Sequence, residues 1–275
     1  MKNIKKKYVV ALNIFFISLL LSNCSSTSTN KDTPQLSDSQ IYSKGLSSIE
    51  KGNWKTATLE FDDVFLNYPF SSLAPKSEIM SAYSLYQNNE IQKAIPKLSS
   101  YIEMNPKGEM TEYAHYLLAM CYYSQVSSED RDPGASIKSL KYFKLLMTKF
   151  PDSKYAKDGK LKVQYLNNRL AKNELNIGKF YLRKGAPASA IKRFKFILQN
   201  YQNSSVVPET LYRLSEALLI IGLKDESIKS RALLEYNFPK NDWTKLSERL
   251  FKNKSELNQK KDTEFSIINY LKDFF

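Results

Sequence analysis

A chain of 275 residues that is 42% hydrophobic and 25% charged can bury a sizeable core and is too apolar for a disordered polymer. Eight Gly and ten Pro are few beside 18 Tyr and 15 Phe, which excludes collagen-like and turn-rich all-β classes and leans helical. The formal net charge is +13, and two Cys with a single His exclude both a disulfide framework and a Cys/His zinc site.

Residues 1–23 read as a targeting segment: Lys2, Lys5, Lys6 and Lys7 precede a run from Tyr8 to Leu21 interrupted only by Asn13 and Ser18. Fourteen residues at about 1.5 Å each reach ~21 Å, short of a ~30 Å hydrocarbon core, so a signal segment is favoured over a transmembrane helix. Leu21-Ser22-Asn23-Cys24 resembles a bacterial lipobox, in which the Cys thiol takes a diacylglycerol and the freed amine a further acyl chain. Asn23 departs from the small residue usual before the Cys; the alternative is an ordinary secretory signal that leaves Cys24 free. Two or three acyl chains, at about 0.8 kcal/mol per buried CH₂, anchor a protein stably without spanning the bilayer. Ser25 follows the Cys where Asp signals inner-membrane retention, so the resemblance implies the periplasmic face of the outer membrane. Residues 24–38 are polar and are expected to form a flexible tether. With Cys24 lipidated, Cys121 has no partner; it lies in the apolar run from Tyr113 to Tyr123 and is expected as a small buried hydrophobe.

Internal repetition sets the expected fold. An aromatic residue or Asn followed by Pro closes four segments, at Tyr68-Pro69, Asn105-Pro106, Phe150-Pro151 and Phe238-Pro239, and Tyr201-Gln202 is a fifth candidate without the Pro. The spacings of 37, 45, 51 and 37 residues are a 34-residue period plus 3, 11, 17 and 3, and 34 is the period of the tetratricopeptide helix–turn–helix repeat. With Pro69 at position 32, Gly45, Gly52, Ala57 and Phe61 fall at positions 8, 15, 20 and 24. Gly178, Gly185, Ala190 and Phe194 fall there in the fourth unit, with Tyr181 at 11. The second unit keeps Ala82, Ala94 and Leu98, the third Ala119, Tyr122 and Phe143, and the fifth chiefly Gly222. Small residues at 8 and 20 let paired helices approach, and the aromatic at 24 fills the space between them. The prediction is an all-α tetratricopeptide solenoid of about five repeats over residues 39–239. The extra residues of the fourth unit are expected to lengthen its first helix, with Leu161, Tyr165, Leu166, Leu170 and Ile177 along one face. Residues 240–275 are expected to form a capping helix, with Trp243, Leu246 and Leu250 and an N-cap at Asn241 or Asp242, and then a tail. Phe265, Ile268, Leu271 and Phe275 can line a helix face in that tail.

The charge is uneven. Removing the four leader lysines from +13 leaves +9: −5 over residues 24–135, +13 over 136–200 and +1 over 201–275. A basic half suits nucleic acid, but a periplasmic address argues against that partner, leaving anionic lipid headgroups, acidic proteins or simple solvation. Catalytic constellations are lacking: six residues separate His115 from Cys121, placing them on different helix faces, and no phosphate loop or nucleophile elbow appears. Asp62-Asp63 and Asp130-Arg131-Asp132 fit solvated or capping roles better than acid–base chemistry.

Five segments carry a family resemblance in the right order: Asn53-Trp54, Asn67-Tyr68-Pro69-Phe70, Asp130-Arg131-Asp132-Pro133, Phe150-Pro151-Asp152-Ser153-Lys154-Tyr155 and Arg169-Leu170-Ala171-Lys172. They resemble the BamD (ComL) family, the tetratricopeptide lipoproteins of the outer-membrane β-barrel assembly machinery. The resemblance covers most of residues 40–238 and does not extend to 240–275. It implies a non-enzymatic scaffold of five repeats with no cofactor beyond the lipid on Cys24. The implied partners are unfolded outer-membrane proteins at the N-terminal repeats, the last POTRA domain of the barrel subunit BamA at the C-terminal repeats, and other lipoproteins of the machinery. Tyr68 and Phe70 match the family's Tyr-Pro-Phe segment in the peptide groove, the alternative being that Phe70 caps the interior of the first repeat. Arg193 matches a basic position at the BamA contact, the alternative being one more exposed cation. A second reading keeps the anchor and fold but changes the partner, to a secretin (as a pilotin) or to the cell-division apparatus.

Overall fold

The computed structural model describes residues 36–126 and 132–251. The leader, Cys24 and most of its tether, Asp130 and Arg131 of the insert, and the tail with Phe265, Ile268, Leu271 and Phe275 lie outside the described residues. Among the described residues every regular element is an α-helix: α1 Asp38–Glu50, α2 Trp54–Asn67, α3 Ala74–Gln87, α4 Ile91–Met104, α5 Thr111–Tyr123, α6 Gly134–Lys149, α7 Lys154–Arg183, α8 Pro187–Asn200, α9 Val207–Ile220, α10 Lys224–Asn237 and α11 Asp242–Phe251. Each helix packs on the next in chain order, and the short connections make neighbours antiparallel. The first ten helices therefore form five pairs, and α11 covers the last of them by packing on α9 and α10.

The helix ends follow from local chemistry. Ser37 and Gln40 form a reciprocal capping box at the start of α1, where the Ser37 amide donates to Gln40 Oε1 at 2.9 Å and the Gln40 amide donates to Ser37 Oγ at 3.3 Å. The second helix of every pair ends in the same backbone conformation, with φ between −125° and −135° and ψ between 42° and 63° at Tyr68, Asn105, Phe150, Tyr201 and Phe238. A following Pro disfavours the α region for the residue before it, which explains four of these stops. Tyr201 adopts the conformation with Gln202 after it, so tertiary packing holds the turn where the proline is missing. Within four pairs the tight turn places one residue at positive φ: Gly52 (70°), Asn89 (60°), Gly185 (71°) and Gly222 (85°). Asn89 is the second repeat's solution, Asn being the residue other than Gly that enters this region most readily.

Close approach of the two helices of a pair occurs where the repeat register places it. A Cβ added to Gly45 would lie 2.7 Å from the Phe61 ring, and one added to Gly178 would lie 2.3 Å from the Phe194 ring. Phe61, Phe143 and Phe194 are all fully buried. In the third and fifth pairs serines take the small positions. Ser139 Oγ donates to the Ala119 carbonyl at 3.2 Å, and Ser227 Oγ donates to the Ser215 carbonyl at 2.8 Å. Arg231 stands in the fifth pair where the others carry Phe or Leu, its guanidinium Nε 2.6 Å from Glu235 Oε1.

The 30 residues of α7, ~45 Å of helix, pack their N-terminal half on α5 and α6 and their C-terminal half on α8 and α9. The face expected for this helix needs correction. Leu166 and Leu170 are buried, but Leu161 is 68% exposed and Tyr165 48% exposed. Five residues turn a helix by about 140°, so Leu161 cannot share a face with Leu166; Ala156, Gly159, Ala171, Leu175 and Gly178 complete the buried stripe instead. At α11, Asn241 is the N-cap, its Oδ1 accepting from the Trp243 amide at 3.0 Å, and Trp243 packs against the Tyr212 ring at 5.3 Å.

Gly178→Ala is expected to force Phe194 off its site at a cost of roughly 1–3 kcal/mol, lowering the melting temperature by about 3–10 °C in a circular-dichroism melt. An unchanged melt would mean that the helix pair can open at this point without loss.

Candidate functional site

The first helices of the pairs pack on one another as well as on their own partners, α3 on α5, α5 on α7 and α7 on α9. Layers that approach most closely on one side curve toward it, so these helices line the inner, concave face of the stack. Tyrosines run across that face. The Trp54 ring meets Tyr83 edge-on at 6.1 Å; Tyr113 lies 5.3 Å from Tyr155; Tyr116 stacks on Tyr155 at 4.9 Å; and Tyr123 meets Tyr165 at 6.0 Å. All of these tyrosines but the exposed Tyr165 are half-buried.

Burial raises the pKa of Tyr113, Tyr116 and Tyr123. Burial, followed by the neighbouring phenols of Tyr83, Tyr155, Tyr116 and Tyr86, holds Tyr113 well above the usual value. Tyr116 is raised by burial and by the hydrogen bond its hydroxyl donates to Asp158 Oδ2 at 2.8 Å. Burial works against the Asp158 carboxylate, but the Lys162 ammonium at 2.6 Å and the Tyr116 hydroxyl outweigh it and hold its pKa below the usual range. A row of phenols on packed helices offers flat apolar area together with hydroxyls that donate or accept, the chemistry suited to an extended peptide.

The residues singled out from the sequence fall in three places. Tyr68 and Phe70 lie in the junction between α2 and α3. The Tyr68 hydroxyl donates to the Leu36 carbonyl at 2.6 Å, which ties the entry of the chain to the first repeat. Phe70 has a relative exposure of 101%, so it does not cap the interior of the first repeat, and that alternative is set aside. Among the described residues no ring contact joins Tyr68 or Phe70 to the tyrosine row. Arg193 lies on α8, 42% exposed, with its guanidinium 3.1 Å from Glu174 Oε2 on α7. With Tyr181, Ser189, Lys192 and Phe196 it lines a shallow notch of about 250 Å³. Cys24 lies outside the described residues.

The tyrosine row itself was missed from sequence, although Tyr83 and Tyr86, and Tyr113 and Tyr116, sit three apart on one helix face each. His115 and Cys121 do not meet. Cys121 is buried and free, its thiol pushed up to about 12 by burial. His115 is buried beside Phe150, ring centroids 5.6 Å apart, and neither ring nitrogen has a hydrogen-bond partner. No group of three or more His, Cys, Asp or Glu among the described residues could hold a metal ion. No helix among them is long and apolar enough to cross a membrane.

Five helix pairs in tetratricopeptide register, with an open aromatic inner face, define a helical-repeat binding protein. The chain belongs to the YfiO family of outer membrane lipoproteins, whose profile matches residues 34–233. It is 35% identical over 240 residues to the outer membrane protein assembly factor BamD of Rickettsia prowazekii, covering 87% of this chain and 95% of that protein. It is 36% identical over 203 residues to the protein of the same name from Caulobacter vibrioides, covering 74% and 67%, and 29% identical over 238 residues to that of Neisseria meningitidis serogroup A, covering 82% and 89%. Among solved structures a tetratricopeptide protein of Thermus thermophilus aligns with a TM-score of 0.36 and 17% identity over 79% of this chain and 100% of that one, too distant to add to the geometry above.

The buried imidazole gives the fold an acid sensitivity. Burial, then the Lys149 charge, lowers the His115 pKa from 6.5 to about 4, so the unfolded chain takes up a proton before the native one does. Stability contributed by neutral His115 is complete above pH 6.5 and falls as pH drops toward about 4. In His115→Leu the drop in urea midpoint between pH 7 and pH 5 should be smaller than in the parent; an equal drop would show that the imidazole protonates without cost.

Proposed function

We propose that the chain is a scaffold of outer-membrane protein assembly, gripping unfolded barrel proteins and docking on the machinery's barrel subunit without transforming either. The observation that carries this reading is the concave tyrosine row, found in a chain whose relatives are named outer membrane protein assembly factors. Those relatives lend nothing to a secretin pilotin or a division factor.

In this reading Cys24 carries the lipid that tethers the solenoid to the periplasmic face of the outer membrane, supported by the basic, apolar and Leu21-Ser22-Asn23-Cys24 segments before it. The N-terminal repeats take extended client segments, with Tyr68 and Phe70 at the entrance and the tyrosine row along the path. One client aromatic buried against the row contributes about 1.5–3 kcal/mol, so a grip built from several such contacts stays reversible and the client can be passed on. The C-terminal repeats, around Arg193, dock on a POTRA domain of a BamA-like subunit, and other lipoproteins of the machinery attach elsewhere. Exposure of Phe70 and half-exposure of Arg193 support these assignments, since both can be reached by a partner.

Phe70 is the cleaner probe of the client site, because truncating Tyr68 also removes its bond to Leu36. Phe70→Ala is expected to weaken photo-crosslinking of a C-terminal barrel-protein peptide several-fold with the melting temperature unchanged; undiminished crosslinking would remove Phe70 from the site. Arg193→Glu should place two carboxylates opposite each other, Glu174 being the other, and reduce co-purification of the barrel subunit while the helical circular-dichroism spectrum persists. Intact co-purification would clear Arg193 of that role.

A further inference from the structure

The outer face of α6 holds none of the residues assigned above to client or partner. Lys138, Lys141 and Lys144 follow at three-residue intervals on its solvent side, and all three are exposed. None has a carboxylate within ion-pair distance among the described residues; Lys76–Glu109 at 3.2 Å and Lys245–Asp242 at 2.9 Å show the pairing that some other surface lysines make. The three acidic residues of segment 136–200 do not reach them: Asp158 is held by Lys162, Glu174 by Arg193, and Asp152 lies in the turn after the helix. Like charges one turn apart oppose the helix that carries them, so an anionic surface laid against the row would relieve that repulsion.

Two features shape this row for a surface. Ile137, beside Lys138, is 52% exposed, and the rings of Tyr122 and Tyr142 stack in parallel at 5.2 Å. Lys138 Nζ lies 5.5 Å from the Tyr122 ring and Lys141 Nζ 5.8 Å from the Tyr142 ring, so aromatic faces hold the two ammonium groups in line. Cations on apolar stems beside an aliphatic and two phenols match the headgroup boundary of a bilayer. The helix is the second of its pair and so lies on the outer, convex side of the curve, the side that can touch a plane. We infer that the α6 face, through Lys138, Lys141, Lys144 and Ile137, rests on anionic phospholipid headgroups of the membrane and orients the solenoid against it, with the tyrosine row turned away from the lipid.

Vesicle co-sedimentation tests this without any acyl chain, using the chain from residue 24 with Cys24→Ser. It should partition onto vesicles of phosphatidylglycerol and phosphatidylcholine in equal parts, weakly or not at all onto phosphatidylcholine alone, and lose the difference as salt is raised. The triple variant Lys138→Glu, Lys141→Glu, Lys144→Glu should lower the partition coefficient at least about tenfold. Lys224→Glu, Lys229→Glu, Lys240→Glu, an equal charge change on exposed positions of the fifth repeat and the turn after it, should cost much less. Equal losses in the two variants, or a folded parent that ignores anionic vesicles, would overturn the inference. So would a first variant that keeps its lipid binding but loses an acidic protein partner, which would assign the face to that protein instead.

Discussion

The fold depends on one contact made over and over: the point where the first helix of a pair crosses the second with almost no side chain between their backbones. Gly45 lies against Phe61 and Gly178 against Phe194, and Ser139 and Ser227 hydrogen-bond the backbone of the facing helix. Where the helices touch so closely, Phe61, Phe143 and Phe194, each four positions after the small residue of the second helix, fill the gap and are fully buried. That fixes the angle of each pair and therefore the stacking of pair on pair. Stacking in turn brings α3, α5, α7 and α9 together on the inside of the bend and exposes their tyrosines to a common groove.

The crossing point was legible in the sequence wherever it was built from Gly or Ala with Phe, because each of those types has one mechanical reason to be there. It was illegible in the fifth pair, where Ser215, Ser227 and Arg231 fill the same positions: a buried Ser reads as polar until its backbone acceptor is seen. The fourth boundary lacks the proline at Gln202, yet the repeat register marked it at Tyr201, which stops its helix at the common angle. Leu161 was misplaced because an apolar residue was counted toward a core its helical phase cannot reach. The aromatic row is spread over four helices far apart in the chain, so no local pattern could gather Trp54, Tyr83, Tyr113, Tyr155 and Tyr165. Tyr68 and Phe70 could be named from a motif, but only the structure distinguishes the anchored ring from the free one.

The long helix α7 gives the molecule its division of labour. It belongs to the third pair at one end and to the fourth at the other, with no break between. The third and fourth repeats, which carry the basic segment 136–200, are thus joined by a continuous rod and not by a hinge. Under the proposed function, a partner near Arg193 and a client near Phe70 would be separated by a stack with no hinge at this point, so handover would depend on the client's own reach. Charge is segregated along the same axis, which suits a scaffold whose two ends meet different surfaces.

Burial of Cys121 has a consequence for handling and for life outside the cytoplasm. A thiol with no access to solvent and almost no thiolate at neutral pH neither attacks a disulfide nor is attacked. An unpaired cysteine would ordinarily be a hazard under oxidising conditions, inviting covalent dimers or scrambled partners. Enclosed against Leu117, Leu118 and the neighbouring helices, it behaves as a slightly oversized alanine, and among the described residues no thiol is open to redox exchange.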